Sequence, residues 1–283
     1  MLTIDFPHGR SLIPNIPMNI KFYFAFAGAI VTGAAASFAQ APVATPAATP
    51  SVTVTATASA VSQYMFRGLR LSDGGLQPAV EMSAGNLTLG AWGNFPLDGD
   101  KVPDSSDPEI DLYGSYSIAI QEGITLAPGF TSYHFPSAPT NAGFYRSTFE
   151  PNIALSWTMA DGVKLTPKVY YDVVLKGPTY EITALYALPL KDIGSELDFT
   201  AVYGGYEWRE AANKATPDVK AWGQYWLLGV AAPFQITPKS KLTIGFAYTE
   251  GRNAYTKAGD LGKTPNSLAI GRGVTTVSYS YAF

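Results

Sequence analysis

The chain has 283 residues, no cysteine, two histidines and a formal charge of −3, with 13% aromatic and 14% charged residues. Soluble globular domains carry about 25% charged residues, so this balance fits a soluble enzyme poorly, and no basic patch points to nucleic acid. Absence of cysteine excludes disulfides and thiolate metal sites, and the body of the chain holds no run of about 18 apolar residues that would make a spanning helix.

The front reads as a targeting segment. From Met18 the sequence runs MNIKFYFAFAGAIVTGAAASFA. Lys21 is its charged start, Phe22 to Val31 the apolar stretch, and Ser37-Phe38-Ala39 a small-residue cleavage site. Residues 1–17 contain Asp5 and Pro7, which do not suit export, so Met18 is the expected translation start. Residues 1–39 are therefore expected to be a signal peptide with a mis-assigned start, the true start being Met18 and cleavage following Ala39. Residues 40–51, QAPVATPAATPS, have nothing to bury and read as an extended Pro/Ala/Thr tail on the periplasmic side.

Residues 52–283 repeat a period of two. Twelve strands are predicted: 52–67, 77–84, 87–95, 109–120, 124–135, 143–159, 163–174, 178–189, 196–207, 222–235, 240–250 and 271–283. In 240–250, Leu242, Ile244, Phe246 and Tyr248 share a face. In 196–207, Leu197, Phe199, Ala201 and Tyr203 oppose Glu196, Asp198 and Thr200. In 163–174, Val163, Leu165, Val169, Tyr171 and Val173 oppose Lys164, Lys168 and Asp172. A helical period would scatter those charges among the apolar groups. The alternation is weakest around Trp226-Leu227-Leu228.

Short turns at 85–86, 121–123, 160–162, 190–195 and 236–239 alternate with longer polar links at 68–76, 96–108, 136–142, 175–177, 208–221 and 251–270. Strict alternation puts every short turn at one end of a sheet. That is the pattern of an up-and-down, antiparallel transmembrane β-barrel, all-β, with tight periplasmic turns and longer outer loops. Closure removes the unpaired edge that hydrocarbon would penalise. The expected location is the cell outer membrane, with its lipid as one partner. The last strand ends TTVSYSYAF, with Val277, Tyr279, Tyr281 and Phe283 on one face. This face is expected to meet lipid. Tyr279, Tyr281 and Phe283 also resemble the terminal signal that outer-membrane proteins present to the barrel insertion machinery.

Residues 61–95, VSQYMFRGLRLSDGGLQPAVEMSAGNLTLGAWGNF, resemble the opening of the TorF-like family of outer-membrane porins. The matching positions are Ser62, Tyr64, Phe66, Arg67, Gly68, Pro78, Gly90 and Trp92, and DPEIDLYGSYS at 107–117 resembles the family's next strand. The resemblance covers about the first third of the chain. It implies a barrel with a pore and brings no known substrate.

The faces opposite the apolar ones place twelve charged side chains inside. They are Arg67, Glu81, Glu109, Asp111, Arg146, Glu150, Lys164, Lys168, Asp172, Glu181, Glu196 and Asp198. Acids outnumber bases, and an acidic lining favours cations by Coulomb attraction. The functional expectation is a passive, weakly cation-selective channel for small hydrophilic solutes, gated by loops 208–221 and 251–270. Alternatively the charges pair and brace a plugged barrel whose loops carry a structural or adhesive role. A third possibility is an outer-membrane hydrolase using His134, the one histidine after residue 39, with Ser132 on its strand face and Asn141 to orient the ring. The acid-rich segment 98–111 does not fit a calcium loop, since Val102 and Pro103 stand where an oxygen ligand and glycine are needed. No cofactor or metal is expected.

Overall fold

The computed structural model describes residues 52–97, 108–137, 146–159, 162–209, 220–252 and 271–283. Its strands are β1 (Val52–Val61), β2 (Tyr64–Phe66), β3 (Leu69–Ser72), β4 (Gly75–Ala84), β5 (Leu87–Pro96), β6 (Glu109–Tyr116), β7 (Ile118–Gln121), β8 (Ile124–His134), β9 (Ser147–Thr158), β10 (Val163–Asp172), β11 (Gly177–Leu190), β12 (Ser195–Arg209), β13 (Lys220–Thr237), β14 (Ser240–Arg252) and β15 (Arg272–Ala282).

Every wall strand pairs antiparallel with its neighbours, and β1 pairs with both β4 and β15. β6 and β7 both pair with β8 and are one wall strand interrupted at Ser117, so the wall is a closed barrel of twelve strands. The Phe283 amide donates to the Val54 carbonyl, which seals the chain end against β1. Closure gives each wall strand two partners and leaves no edge.

The outward faces are apolar and exposed. Along β15, Tyr279 is 47% exposed while Ser278 is 2% exposed. Leu242 is half-buried on the same outward face of β14 as exposed Ile244, Phe246 and Tyr248. A continuous coat of exposed Val, Ile, Leu, Phe, Tyr and Trp around a closed barrel is stable only against hydrocarbon.

Most predicted boundaries shift by one or two residues, and four changes bear on the lumen. The strand expected over 52–67 stops at Val61, the one over 109–120 breaks at Ser117, the one over 143–159 begins at Ser147, and the one over 222–235 runs from Lys220 to Thr237. The short turns and both ends of the described barrel lie together at one end, called here the turn end. The opposite end is the loop end. Residues 1–51, the acidic segment 98–107, Asn141, and the centres of the proposed gating loops (210–219 and 253–270) lie outside the described residues.

Candidate functional site

The lumen has two unlike halves. Toward the turn end, small hydroxyl side chains line it: Thr57, Ser59, Ser156, Thr200, Ser278 and Ser280 are all buried on inward faces. Thr57 Oγ1 donates to Ser280 Oγ at 3.2 Å, and Ser278 Oγ to Ser59 Oγ at 3.0 Å. Toward the loop end the inward positions hold large groups instead, including Tyr133, Tyr170, Tyr206 and Tyr225.

A short hairpin crosses this loop-end half. β2 and β3 pair only with each other, forming a separate two-stranded sheet. The turn between them is Arg67-Gly68, with φ of +47° and +78°. Two successive positive φ values make the tight turn that matches hairpin twist, with glycine favoured at the second place. Arginine at the first place is strained.

Arg67 is held there by its contacts. Its Nη1 and Nη2 donate to Glu150 Oε1 and Oε2 at 2.8 and 2.9 Å, a bidentate fork that is fully buried. The guanidinium also lies 4.7 Å from the Phe66 ring and 5.0 Å from the Tyr170 ring. Tyr133 Oη donates to Glu150 Oε2 at 2.8 Å. Glu150 is on β9, and Tyr170 on β10, which stands six strands from β1 in either direction round the wall. The hairpin therefore leaves β1 and reaches the opposite wall.

A second buried network lies beside the first. Tyr225 Oη and Tyr170 Oη donate to Glu181 Oε2 and Oε1 at 2.6 and 3.3 Å. Lys168 Nζ lies 4.5 Å from the Tyr170 ring. Asp172 accepts from Thr148 Oγ1 at 2.5 Å and from the amides of Val174 and Leu175, so it ties the β10–β11 turn. Glu81 accepts from Tyr113 Oη at 3.1 Å. Glu109 and Asp111 are buried two residues apart on β6, opposite Tyr64 of the hairpin and Tyr133 of β8. At the turn end, Glu196 and Asp198 lie beside Lys241. Lys164 is a further inward base there, on β10.

Two of the predicted lining residues stand elsewhere than expected. Arg67 is not on the wall; it rides on the inner hairpin, because the chain leaves the wall at Ser62. Arg146 is exposed at the loop-end rim, one residue before β9, since the strand starts later than its pattern implies. Lys241 is a further inward base, outside the expected set of lining residues, on the face of β14 opposite its apolar one. Leu227 is buried inward with Val202, Tyr206, Tyr225 and Ala247, which explains the blurred alternation around Trp226-Leu227-Leu228. An apolar patch inside the lumen removes the contrast between the two faces.

Ser132 Oγ and His134 Nε2 are 3.0 Å apart on the outward face of β8. Across the sheet their register partners are Leu112 and Ile110 on β6 and Phe149 and Ser147 on β9. None of these can act as an acid to orient the imidazole. Among the described residues no group of three or more His, Asp or Glu side chains could hold a metal ion.

Residues 44–172 match a family model described as "Bacterial protein of unknown function (Gcw_chp)". This span contains the stretch that resembles TorF-like porins. No curated protein sequence matches the chain. Among solved structures the fold is similar to a NanC porin in a rhombohedral crystal form, at 10% identity and a TM-score of 0.51, covering 81% of this chain and 98% of that one. A KdgM porin matches at 10% identity and a TM-score of 0.49, covering 82% of this chain and 99% of the other. At such identity the likeness is one of fold: a closed twelve-stranded antiparallel barrel.

Proposed function

We propose that the chain is a porin-like channel of a bacterial outer membrane, passing small hydrophilic solutes by diffusion. The observation that carries this reading is the inside-out polarity of the wall, with apolar side chains outward and hydroxyls and charges inward. Asp198 Oδ1, Thr200 Oγ1 and Thr276 Oγ1 are buried inward and have no hydrogen-bond partner among the described residues, which suits bound water in the lumen. The fold likeness to porins and the resemblance of residues 61–117 to the TorF-like family point the same way.

The lining is weakly cation-selective in this reading. Eight inward acids face Arg67, Lys164, Lys168 and Lys241, and Arg67 is spent on Glu150. A narrow lumen screens the remaining acids poorly. The roles of the inward charges as selectivity elements, of Tyr279, Tyr281 and Phe283 as an assembly signal, and of residues 1–39 as a signal peptide belong to the same proposal. The protein acts without catalysis.

One observation favours a second reading. The buried hairpin spans the loop-end half, as a plug would, so the barrel could serve a structural or adhesive role through its loops. Single-channel recording of the refolded protein under a KCl gradient separates the two. Discrete steps with a reversal potential on the cation side support the channel. An anion-side potential overturns the selectivity, and silence from folded protein both with the hairpin present and with it replaced by a linker overturns the channel.

A further inference from the structure

We propose that residues 62–74 form the gate of this channel: a hinged arm whose closed state is latched by Arg67 on Glu150. The inference rests on the channel reading above and adds to it which segment must move.

The two ends of the arm and its tip are held differently. At its base the main chain is tied into the wall. The Ser62 amide donates to Thr275 O at 3.0 Å, and the Leu97 amide to Gly74 O at 2.7 Å. Thr275 N donates to Ser62 Oγ at 2.9 Å. Between these anchors the main-chain ladder joins β2 and β3 only to each other, while side chains tie the arm to the wall: Gln63 Nε2 donates to Gly273 O at 2.7 Å, Asn94 Nδ2 to Ser72 Oγ at 3.2 Å, and Tyr64 stands against Glu109. The tip is held by side chains and packing alone. Arg67 forks onto Glu150, and Gly68 packs so closely on Gly251 that a Cβ would overlap its backbone.

The arm can therefore swing without breaking any ladder bond of the wall. Its intrinsic turn, with Arg67 at positive φ, is strained, so the bound position depends on the partners at the tip. Removing one member of a buried ion pair strands the other without compensation. Swinging out lets a stranded Arg67 or Glu150 regain water, against the cost of exposing Tyr64, Met65 and Leu69. Among the arm's contacts, which include Met65 against Val274, Tyr64 against Trp92 and Phe66 against Tyr133, the Arg67–Glu150 pair is the ionic one at the tip, and its loss carries the largest single penalty. The arm's closed state covers the half of the lumen that bulky side chains already narrow, leaving the hydroxyl-lined half as a vestibule.

The test is planar-bilayer recording of wild type, Arg67→Ala, Glu150→Gln, the exchange Arg67→Glu with Glu150→Arg, and a barrel with residues 64–72 replaced by a Gly-Ser linker. Folding of each is checked by its heat-dependent gel mobility. Trypsin reads the arm separately, since Arg67 and Arg70 are cleavable only when it leaves the lumen. The wild type should conduct in rare openings. Each single variant should raise the ratio of open to closed time on the order of a hundredfold and become cleavable. The exchange should move both readouts back toward wild type. Arg67→Lys keeps the charge but loses the fork, and should fall between, which guards against a folding failure of Arg67→Ala.

Singles that conduct and resist trypsin like wild type overturn the latch while the channel stands. Conduction by the linker variant alone means a fixed plug, and overturns the gate. Silence from every form, the linker variant included, overturns the channel reading and the gate with it.

Discussion

Tyr225 on β13 lies over Gly204, its register partner on β12, so that a Cβ at 204 would overlap the phenol ring. Two residues along, the arrangement reverses, with Tyr206 of β12 lying over Gly223 of β13. The two rings sit 6.0 Å apart. Glycine here supplies room, and the room aims Tyr225 Oη at Glu181.

Gly204→Ala should consequently destabilise the barrel by about 1–3 kcal/mol, the range for overpacking. The ring is rigid and held at its far end by Glu181, so it cannot yield cheaply. Gly205→Ala is the matched control. A Cβ there meets nothing nearer than the Gly223 carbonyl at 3.5 Å, an ordinary contact. Urea unfolding from lipid vesicles should separate the two variants clearly. Equal losses would mean that backbone freedom, and not ring space, sets the requirement.

Lumen charge gives a prediction in reversal potential. Glu196 and Asp198 face Lys241 at the turn end. Replacing both acids, Glu196→Gln with Asp198→Asn, should lower the cation-to-anion permeability ratio by about two- to fivefold, the scale of one to two partly screened charges. Lys241→Met should raise it by a similar factor. The shift should shrink as KCl is raised from 0.1 to 1 M, because screening length shortens. A ratio insensitive to all three positions would place the selectivity elsewhere, at the arm or the outer loops.

The outward pair Ser132 and His134 should carry no hydrolysis. The pair has a nucleophile-to-base distance that would serve, 3.0 Å. What it lacks in its sheet neighbours Leu112, Ile110, Phe149 and Ser147 is an acid to orient the ring and a donor set for a developing oxyanion. Phospholipid and p-nitrophenyl ester turnover should be the same for wild type, Ser132→Ala and His134→Ala. Loss of a measurable turnover in both variants would reinstate the enzyme.

Much of the wall was legible in the alternation itself. Leu242, Ile244, Phe246 and Tyr248, or Val277, Tyr279 and Tyr281, lie outward because polar neighbours take the other face. The short strand predicted over 77–84 forms over Gly75–Ala84 for the same reason, with Gln77 inward and Val80 outward. The inner arm was not legible. Ser62, Tyr64 and Phe66 continue the period of β1, and a period of two describes a strand in the lumen as well as one in the wall. Only the Arg67-Gly68 turn signals a reversal, and arginine is a poor marker of positive φ. Arg146 misled for a related reason: parity places it inward, but parity holds only while the residue belongs to the strand. The Arg67–Glu150 pair joins positions 83 residues apart, and nothing local foretells it.

The membrane reading makes its own prediction, through depth. Ile153 stands near the middle of β9, exposed, with Pro128 and Val169 as its outward neighbours on β8 and β10. Trp157 is exposed on the same face near the turn end. In a bilayer, arginine on the lipid face costs about 2–4 kcal/mol at the midplane and about 0–1 kcal/mol near an interface. Ile153→Arg should therefore destabilise the vesicle-inserted barrel by about 2–4 kcal/mol and Trp157→Arg by much less. A barrel standing in water would show no such gradient, since exposed substitutions there stay within about ±0.5 kcal/mol. Equal small effects at 153 and 157, measured by reversible unfolding from vesicles, would remove the lipid from around this wall. A loss confined to 153 would place the hydrocarbon midplane at that level of the strand, and with it the height of the Glu150 latch, three residues nearer the loop end.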